Sequence, residues 1–285
     1  MPREHFRCVE PIIRFSSQFY EQPLVPLRLP TASERIDPPL VDIFVSDGRR
    51  DARGINDAEA RVILMEVKVI VADSTMEHRS VGIISLIGDK QAKHIYELLL
   101  KEISAEEFAR HKIICGNAAT FQGQERDIMF LSMVECPETT TTKTSRTLEQ
   151  RFNVALSRAR DREYLVRSVT PEDLKPNDLK FKVIEHFRNP MEAGRIAMND
   201  DVLDVCESTF EKEIGAELLK RGYRLRPQVP VAGYRLDFVV EGQGDQRLAI
   251  ECDGDPYHGP DRWAADVKRQ RALERLGWIF WRVWG

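Results

Sequence analysis

Three acidic residues near the C-terminal end stand at spacings that suit a hard divalent cation. They are Asp237 in Tyr-Arg-Leu-Asp-Phe, and Glu251 and Asp253 in Ala-Ile-Glu-Cys-Asp-Gly. Carboxylates at the ends of neighbouring strands supply oxygen ligands, and an ion held there activates water against a phosphodiester. Strand alternation supports the geometry. Over 234–240, Tyr234, Leu236, Phe238 and Val240 face one way and Asp237 the other. Over 248–253, Leu248, Ile250 and Cys252 share one face, and Glu251 and Asp253 share the opposite one. Acids in a buried strand need a partner, because unpaired buried charge is costly.

The elements that must position these acids follow from capping and periodicity. Ser208-Thr-Phe-Glu211 has the pattern of a capping box opening a helix, with Phe210, Ile214 and Leu218 on one face. Strands follow at about 223–231, 233–241 and 247–252, then a helix at about 261–276 and a strand at Trp278–Trp284. On the later helix Lys268, Arg271 and Arg275 lie at i, i+3 and i+7 and share a face, with Ala265, Ala272 and Leu276 set against the sheet. A basic stripe beside a metal site suits a phosphate backbone, and a solvated charged face is the plainer reading of the same residues. Glu211 has two readings, as an acid of the site and as the cap partner of Ser208. His258, seven residues after Glu251, is a candidate proton-transfer group or a surface histidine of a loop.

The first half reads differently. Residues 1–40 look irregular, with Pro23, Pro26, Pro30, Pro38 and Pro39. Val81–Ile87 reads as a buried strand, and 89–103 as a helix with Ile95, Leu98, Leu99 and Ile103 inward. Lys112–Cys115 and Asp127–Val134 read as strands, 147–160 as a helix and Glu163–Val169 as a last strand. Strands alternating with helices imply a parallel α/β sheet. Residues 171–206 are mixed and polar and read as a connector. The expected organisation is therefore 1–170, a connector at 171–206, and a smaller α/β unit at 207–285.

Composition narrows the classes. At 285 residues the chain has room for two domains, each with its own core. No apolar run is long enough to span a membrane, and the start, Met-Pro-Arg-Glu-His, lacks signal-peptide shape. The five cysteines are scattered with no Cys-x-x-Cys pair, which points to reduced thiols in the cytoplasm and away from a zinc site or disulfide frame. With a formal net charge of −4, nucleic-acid binding has to come from a local basic face.

The order and motifs of 207–285 resemble the PD-(D/E)XK nuclease superfamily. The nearest branch is the one related to very-short-patch repair endonucleases and fused to bacterial superfamily 1 helicases. Ser208–Glu211, Arg226–Asp237, Ile250–His258, Leu276–Trp278 and Arg282–Trp284 carry the match. It implies a magnesium-dependent nuclease; manganese is the alternative ion, and DNA is the expected substrate. Asp237 and Glu251 would be the metal ligands and Glu211 an auxiliary carboxylate. Asp253 falls where the superfamily name has Lys, which leaves the water-activating group open.

Residues 1–170 resemble the second RecA-like domain of superfamily 1 helicases. Glu4-His-Phe-Arg7 resembles the segment with an ATP-contacting arginine, with His5 in place of Gln. Thr120–Asp127 resembles motif V, and Phe152–Arg160 resembles motif VI. The resemblance implies that Glu125 touches the ATP ribose and Arg158 is the finger on the γ-phosphate. It puts Gln122 and Gly123 near the junction of nucleotide and nucleic acid. No Gly-x-x-x-x-Gly-Lys-[Ser/Thr] occurs, nor an acidic pair after an apolar strand in the first hundred residues, so the RecA-like part is incomplete. ATP would bind only if a Walker A domain came from a separate helicase half. The expected function is thus a DNA endonuclease attached to a helicase domain that does not hydrolyse ATP alone. The alternative is a non-catalytic module that binds nucleic acid or docks to a motor half.

Overall fold

The computed structural model describes residues 3–5, 7–20, 24–26, 28, 30–31, 34–140, 146–189, 203–223, 225–231, 234–242, 246–253, 267, 270–275 and 277–285. They form two units, 1–28 with 36–191 and 29–35 with 192–285.

In chain order the first unit contains β1 (Arg3–His5), α1 (Glu10–Ser16), β2 (Leu24–Pro26), β3 (Leu40–Phe44), α2 (Asp57–Ala72), β4 (Val81–Ser85), α3 (Lys90–Glu102), α4 (Ala105–Arg110), β5 (Ile114–Asn117), β6 (Arg126–Ser132), α5 (Arg146–Ala155), β7 (Ala159–Arg167) and α6 (Leu179–Arg188). Five strands pair in parallel in the order β3-β7-β6-β4-β5, and β1 and β2 form a separate parallel pair. The middle strands are apolar at consecutive positions because both faces are covered. Ile128 and Phe130 of β6 pack with Ile63 and Val67 of α2 and Ile95 and Leu99 of α3. Met129 and Leu131 pack on the other side with Ile12 of α1, Phe152 of α5 and Val183 of α6. This is a RecA-like α/β sheet, followed by a small second sheet domain.

The sequence reading and the fold differ in places, each for a physical reason. The helix expected at 147–160 stops at Ala155. Arg126 donates its amide to the Arg158 carbonyl at 3.1 Å, and Ala159 opens β7. Sheet pairing thus ends the helix and leaves Arg158 in the turn and Arg160 in a strand. Residues 10–16, expected to be irregular, form α1, because a proline in a first helical turn forfeits no intrahelical bond. The strand expected over Asp127–Val134 ends at Ser132, and Val134 takes a left-handed φ of 71°. The span 171–206 includes α6, whose Val183, Ile184 and Phe187 are buried in the first core.

Charge is buried in this unit under two regimes. Lys180 of α6 meets Glu135 in a short ion pair, with Asp178 3.5 Å away, and all three are almost wholly covered. Glu163 of β7 is fully buried with neither carboxyl oxygen hydrogen-bonded, and burial pushes its pKa well above the ordinary carboxylate range. Glu59 of α2 is buried too, but it accepts from Ser132 Oγ (2.7 Å), the Val134 amide (2.8 Å) and Ser168 Oγ (2.9 Å). Burial outweighs these bonds and raises its pKa to about 7.

The second unit contains α7 (Thr209–Lys220), β8 (Leu225–Val231), β9 (Tyr234–Glu241), β10 (Arg247–Asp253), helical residues at 270–274 and β11 (Trp278–Trp284). The sheet order is β11-β10-β9-β8, with β11 parallel to β10 and the remaining pairs antiparallel. One core joins Leu218 of α7 to Leu225, Phe238, Val240 and Ile250. The other joins Leu273 to Val229, Val231, Leu236, Val239, Ala249 and Trp278. Leu236 therefore does not share a face with Phe238 and Val240. The strands change face at the opposed positions Gln228 and Asp237, where Gln228 is left-handed with φ 50°. Leu273 is the residue packed on the sheet, and Ala272, one position and about 100° away, is exposed. Ala265 and Leu276 lie outside the described residues.

Replacing Lys180 with Met removes the buried cation beside Glu135 and Asp178 and is expected to cost about 3–5 kcal/mol in urea unfolding. Glu163→Leu removes two unmet oxygens and is expected to be neutral or stabilising, so a clear loss of stability would show a missing partner. For Glu59 the folded value, about 7, exceeds the ordinary 4.5, so the folded state holds the proton more tightly. Wild type should gain stability relative to Glu59→Gln as pH falls from 8 to 5. Thermal melts of both proteins across that range test it, and parallel curves would refute it.

Candidate active site

β9 and β10 pair from Arg247 opposite Glu241 to Ile250 opposite Phe238, and there the ladder ends. The next opposed positions are Glu251 and Asp237. β10 runs on beside β11, with Glu251 in register with Arg282 and Asp253 with Trp284. Asp237 spans the opening, because its Oδ2 accepts the Cys252 amide at 2.7 Å. Glu251 is only 7% exposed. Backbone pairing thus holds both acids at the point where the two strands part.

Glu211 joins from α7. Ser208 Oγ accepts the Glu211 amide at 3.1 Å and donates to its Oε1 at 2.9 Å, and the Glu207 amide donates to Oε2 at 2.9 Å. Glu211 is thus a helix cap, as one of the two sequence readings had it. The same Oε2 accepts from Gln228 Nε2 at 2.8 Å, which ties the acid to the irregular position of β8. β8 is an edge strand, where Pro227 and Pro230 are tolerated because no outer neighbour needs their amide. The field among these acids is recorded by Cys252, whose thiol is pushed up to about 12. Burial is the main cause, and Asp237, Glu211 and Glu251 each add to it. Cys252 is accordingly a neutral thiol and an unsuitable metal ligand.

Asp253 is engaged elsewhere. Its Oδ2 accepts from Arg282 Nη1 at 3.0 Å, and Arg282 Nε donates to Gln270 Oε1 at 3.2 Å. Arg271 and Arg275 are exposed on the helical segment, while Lys268 and His258 lie outside the described residues. Among the described residues no group of three or more His, Cys, Asp and Glu is placed to hold a metal. Asp237 and Glu251 fit a small hard cation that is bound through one or two carboxylates and keeps several waters. Their oxygen-only chemistry and the local negative field match magnesium or manganese better than zinc.

In the first unit three of the residues expected near a nucleotide, Arg7, Glu125 and Arg158, lie close together. Arg7 Nε donates to Glu125 Oε2 at 2.6 Å, and Arg7 Nη1 points to the Ser157 carbonyl at 3.4 Å. Arg158, in the turn after α5, has its pKa lowered by burial and then by Arg7. His5 is held down to about 4 by burial, with Arg7 and Arg158 adding to the effect, and is neutral at physiological pH. Gln122 and Gly123 sit in an exposed turn, where Gly123 takes a φ of 83° with open space around it. Among the described residues no hydrogen bond joins the Gln122 side chain to Arg7 or Arg158.

Residues 3–169 match the model of an AAA domain family (AAA_12), which is superfamily 1 helicase-like. Residues 210–285 match a restriction-endonuclease-like family, REase_MTES_1575. The first match covers more than half of the sequence, and the chain belongs to that AAA domain family, with a restriction-endonuclease-like domain following. No curated protein matches the chain. Among the described residues no helix is long and apolar enough to cross a membrane.

Sequence reasoning passed over Arg282 and Gln270. Arg282 stands in the quoted Arg-Val-Trp text, but its link to Asp253 becomes visible only with the register of β10 and β11. Truncating Glu211 to Ala should cost about 1–2 kcal/mol in denaturant unfolding of the full chain. Glu211→Gln, which keeps one acceptor, should cost less than half as much. Equal costs would mean that the cap does not depend on acceptance by this side chain.

Proposed function

We propose that the second unit hydrolyses phosphodiester bonds in DNA with magnesium or manganese. The observation that carries this reading is the placement of Asp237 and Glu251 opposite each other where β9 and β10 part. The ion, when bound, lowers the pKa of a water and stabilises charge on the phosphate. Asp237 and Glu251 would hold it. The Cys252 amide fixes the Asp237 carboxylate, and Glu211 keeps the first turn of α7 and Gln228 in place beside it. Asp253, occupied by Arg282, is a poor candidate for the water-activating base, which leaves His258 as the proton-transfer candidate. Arg271 and Arg275, with Lys268, would meet the phosphate backbone.

The helicase-like unit supplies Arg7, Glu125 and Arg158 as one wall of a nucleotide site, without a P-loop. On this reading ATP turnover needs a Walker A domain from a separate partner. A second reading has a specific observation in its favour: no three-member metal-ligand group occurs among the described residues. On that reading the chain is a non-catalytic nucleic-acid-binding or docking module.

Plasmid and single-stranded DNA incubated with the full chain and magnesium or manganese should be cut. Asp237→Ala or Glu251→Ala should lower the rate by about 100-fold or more, the scale of losing one positioned charge-stabilising group. Intact DNA with folded wild-type protein would favour the docking module, and cutting that survives Asp237→Ala would mean that the site lies elsewhere.

A further inference from the structure

We propose that Arg282 is the cationic group of the nuclease site and contacts a non-bridging oxygen of the substrate phosphate. This inference rests on the nuclease reading and extends it. Asp237, Glu251 and a substrate phosphate are all anionic, so a cationic side chain beside them lowers the cost of gathering them. Arg282 is placed to be that group. It is the register neighbour of Glu251 across the parallel pair of β10 and β11, so the two side chains leave the same face of the sheet, with strands about 4.8 Å apart. Its Nη1 donates to Asp253 Oδ2 at 3.0 Å, at the end of the strand that carries Glu251.

The guanidinium is fixed yet incompletely used. Nε is turned toward Gln270 and Nη1 toward Asp253, which leaves little rotational freedom. Nη2 is covered and has no acceptor. A planar guanidinium carries five N–H donors, and a covered cationic donor without an acceptor is costly enough to need an explanation. Phosphate is the acceptor that the surroundings favour, because guanidinium geometry matches its oxygens and the neighbouring acids suit a phosphate-bound metal. Arg282 transfers no proton in this role. It offsets negative charge on the phosphate, while Asp253 and Gln270 aim it.

The obvious alternative is that Arg282 only balances Asp253, and two measurements separate these roles. Binding of a short fluorescent DNA duplex is titrated against salt with calcium in place of magnesium, and cleavage is followed with magnesium. The full-length proteins are wild type, R282A, R282K, D253A and D253A/R282A, each with its unfolding midpoint. In R282A the slope of log affinity against log salt should fall by about 0.9, as for one lost phosphate contact. Its kcat should drop about 100-fold, R282K should recover part of both, and D253A/R282A should keep the reduced slope. A wild-type slope in R282A or in D253A/R282A would overturn the proposal and reduce Arg282 to a charge balance. If wild type cuts no DNA with magnesium or manganese, the nuclease reading fails separately, and the binding slope still decides the phosphate contact.

Discussion

The second unit depends on one contact at the point where its sheet splits. Beyond Ile250 and Phe238 the pairing of β10 with β9 stops while that with β11 continues, and the amide of Cys252 has no β9 carbonyl to meet. A buried amide without an acceptor is costly, and the Asp237 carboxylate supplies that acceptor. The same bond thus satisfies the backbone and fixes an acid beside Glu251. Opposite Asp237, the left-handed Gln228 lets β8 and β9 turn from one core to the other and sends its amide to Glu211. The strain at Gln228, the parting of the strands and the gathering of three acids belong to one local arrangement.

The first unit treats buried charge differently. Lys180 and Glu135 neutralise each other and tie α6 to the chain just beyond β6. Such a pair costs little while intact and much when halved, so it makes α6 part of the domain. Glu59 is served by hydroxyls and an amide from the ends of β6 and β7, and the Val134 amide that it accepts belongs to a β-branched residue in a left-handed conformation. That conformation persists only where the surroundings over-determine it, and the Glu59 carboxyl is part of what does so.

What the sequence disclosed follows from how local each signal is. The strands that carry Asp237 and Glu251 were legible, since both acids lie in β9 and β10 as expected, but the alternation used to orient Asp237 breaks at that residue. The inward face of α3 was legible from its helical period, with Ile95, Leu99 and Ile103 buried and Leu98 partly so. The end of α5 was not, since Leu-Ser-Arg-Ala-Arg suits a helix and only pairing with Arg126 stops it. The face of Leu236 was misread because Gln228 has no intrinsic left-handed preference to announce the turn. The α2 segment went unread because its apolar residues run nearly all round, with Met65 and Val69 exposed and Ile63 and Val67 buried. The bond of Arg282 to Asp253 lies 29 residues apart and needs the β10–β11 register.

Considered separately, the two units have opposite electrostatic needs. On the wall of the first, Arg7 and Arg158 lie close enough that each disfavours the charge of His5, and Arg7 adds to burial in lowering the pKa of Arg158. Glu125 answers Arg7, while Arg158 Nε is buried without an acceptor. The local field there is positive. Around Cys252 in the second unit, Asp237, Glu211 and Glu251 all press in the negative sense. Neither cluster is what folding alone selects, because like charges gathered in low-dielectric surroundings oppose burial. Each is tolerated because the surrounding sheet holds it, so the two units carry local fields of opposite sign.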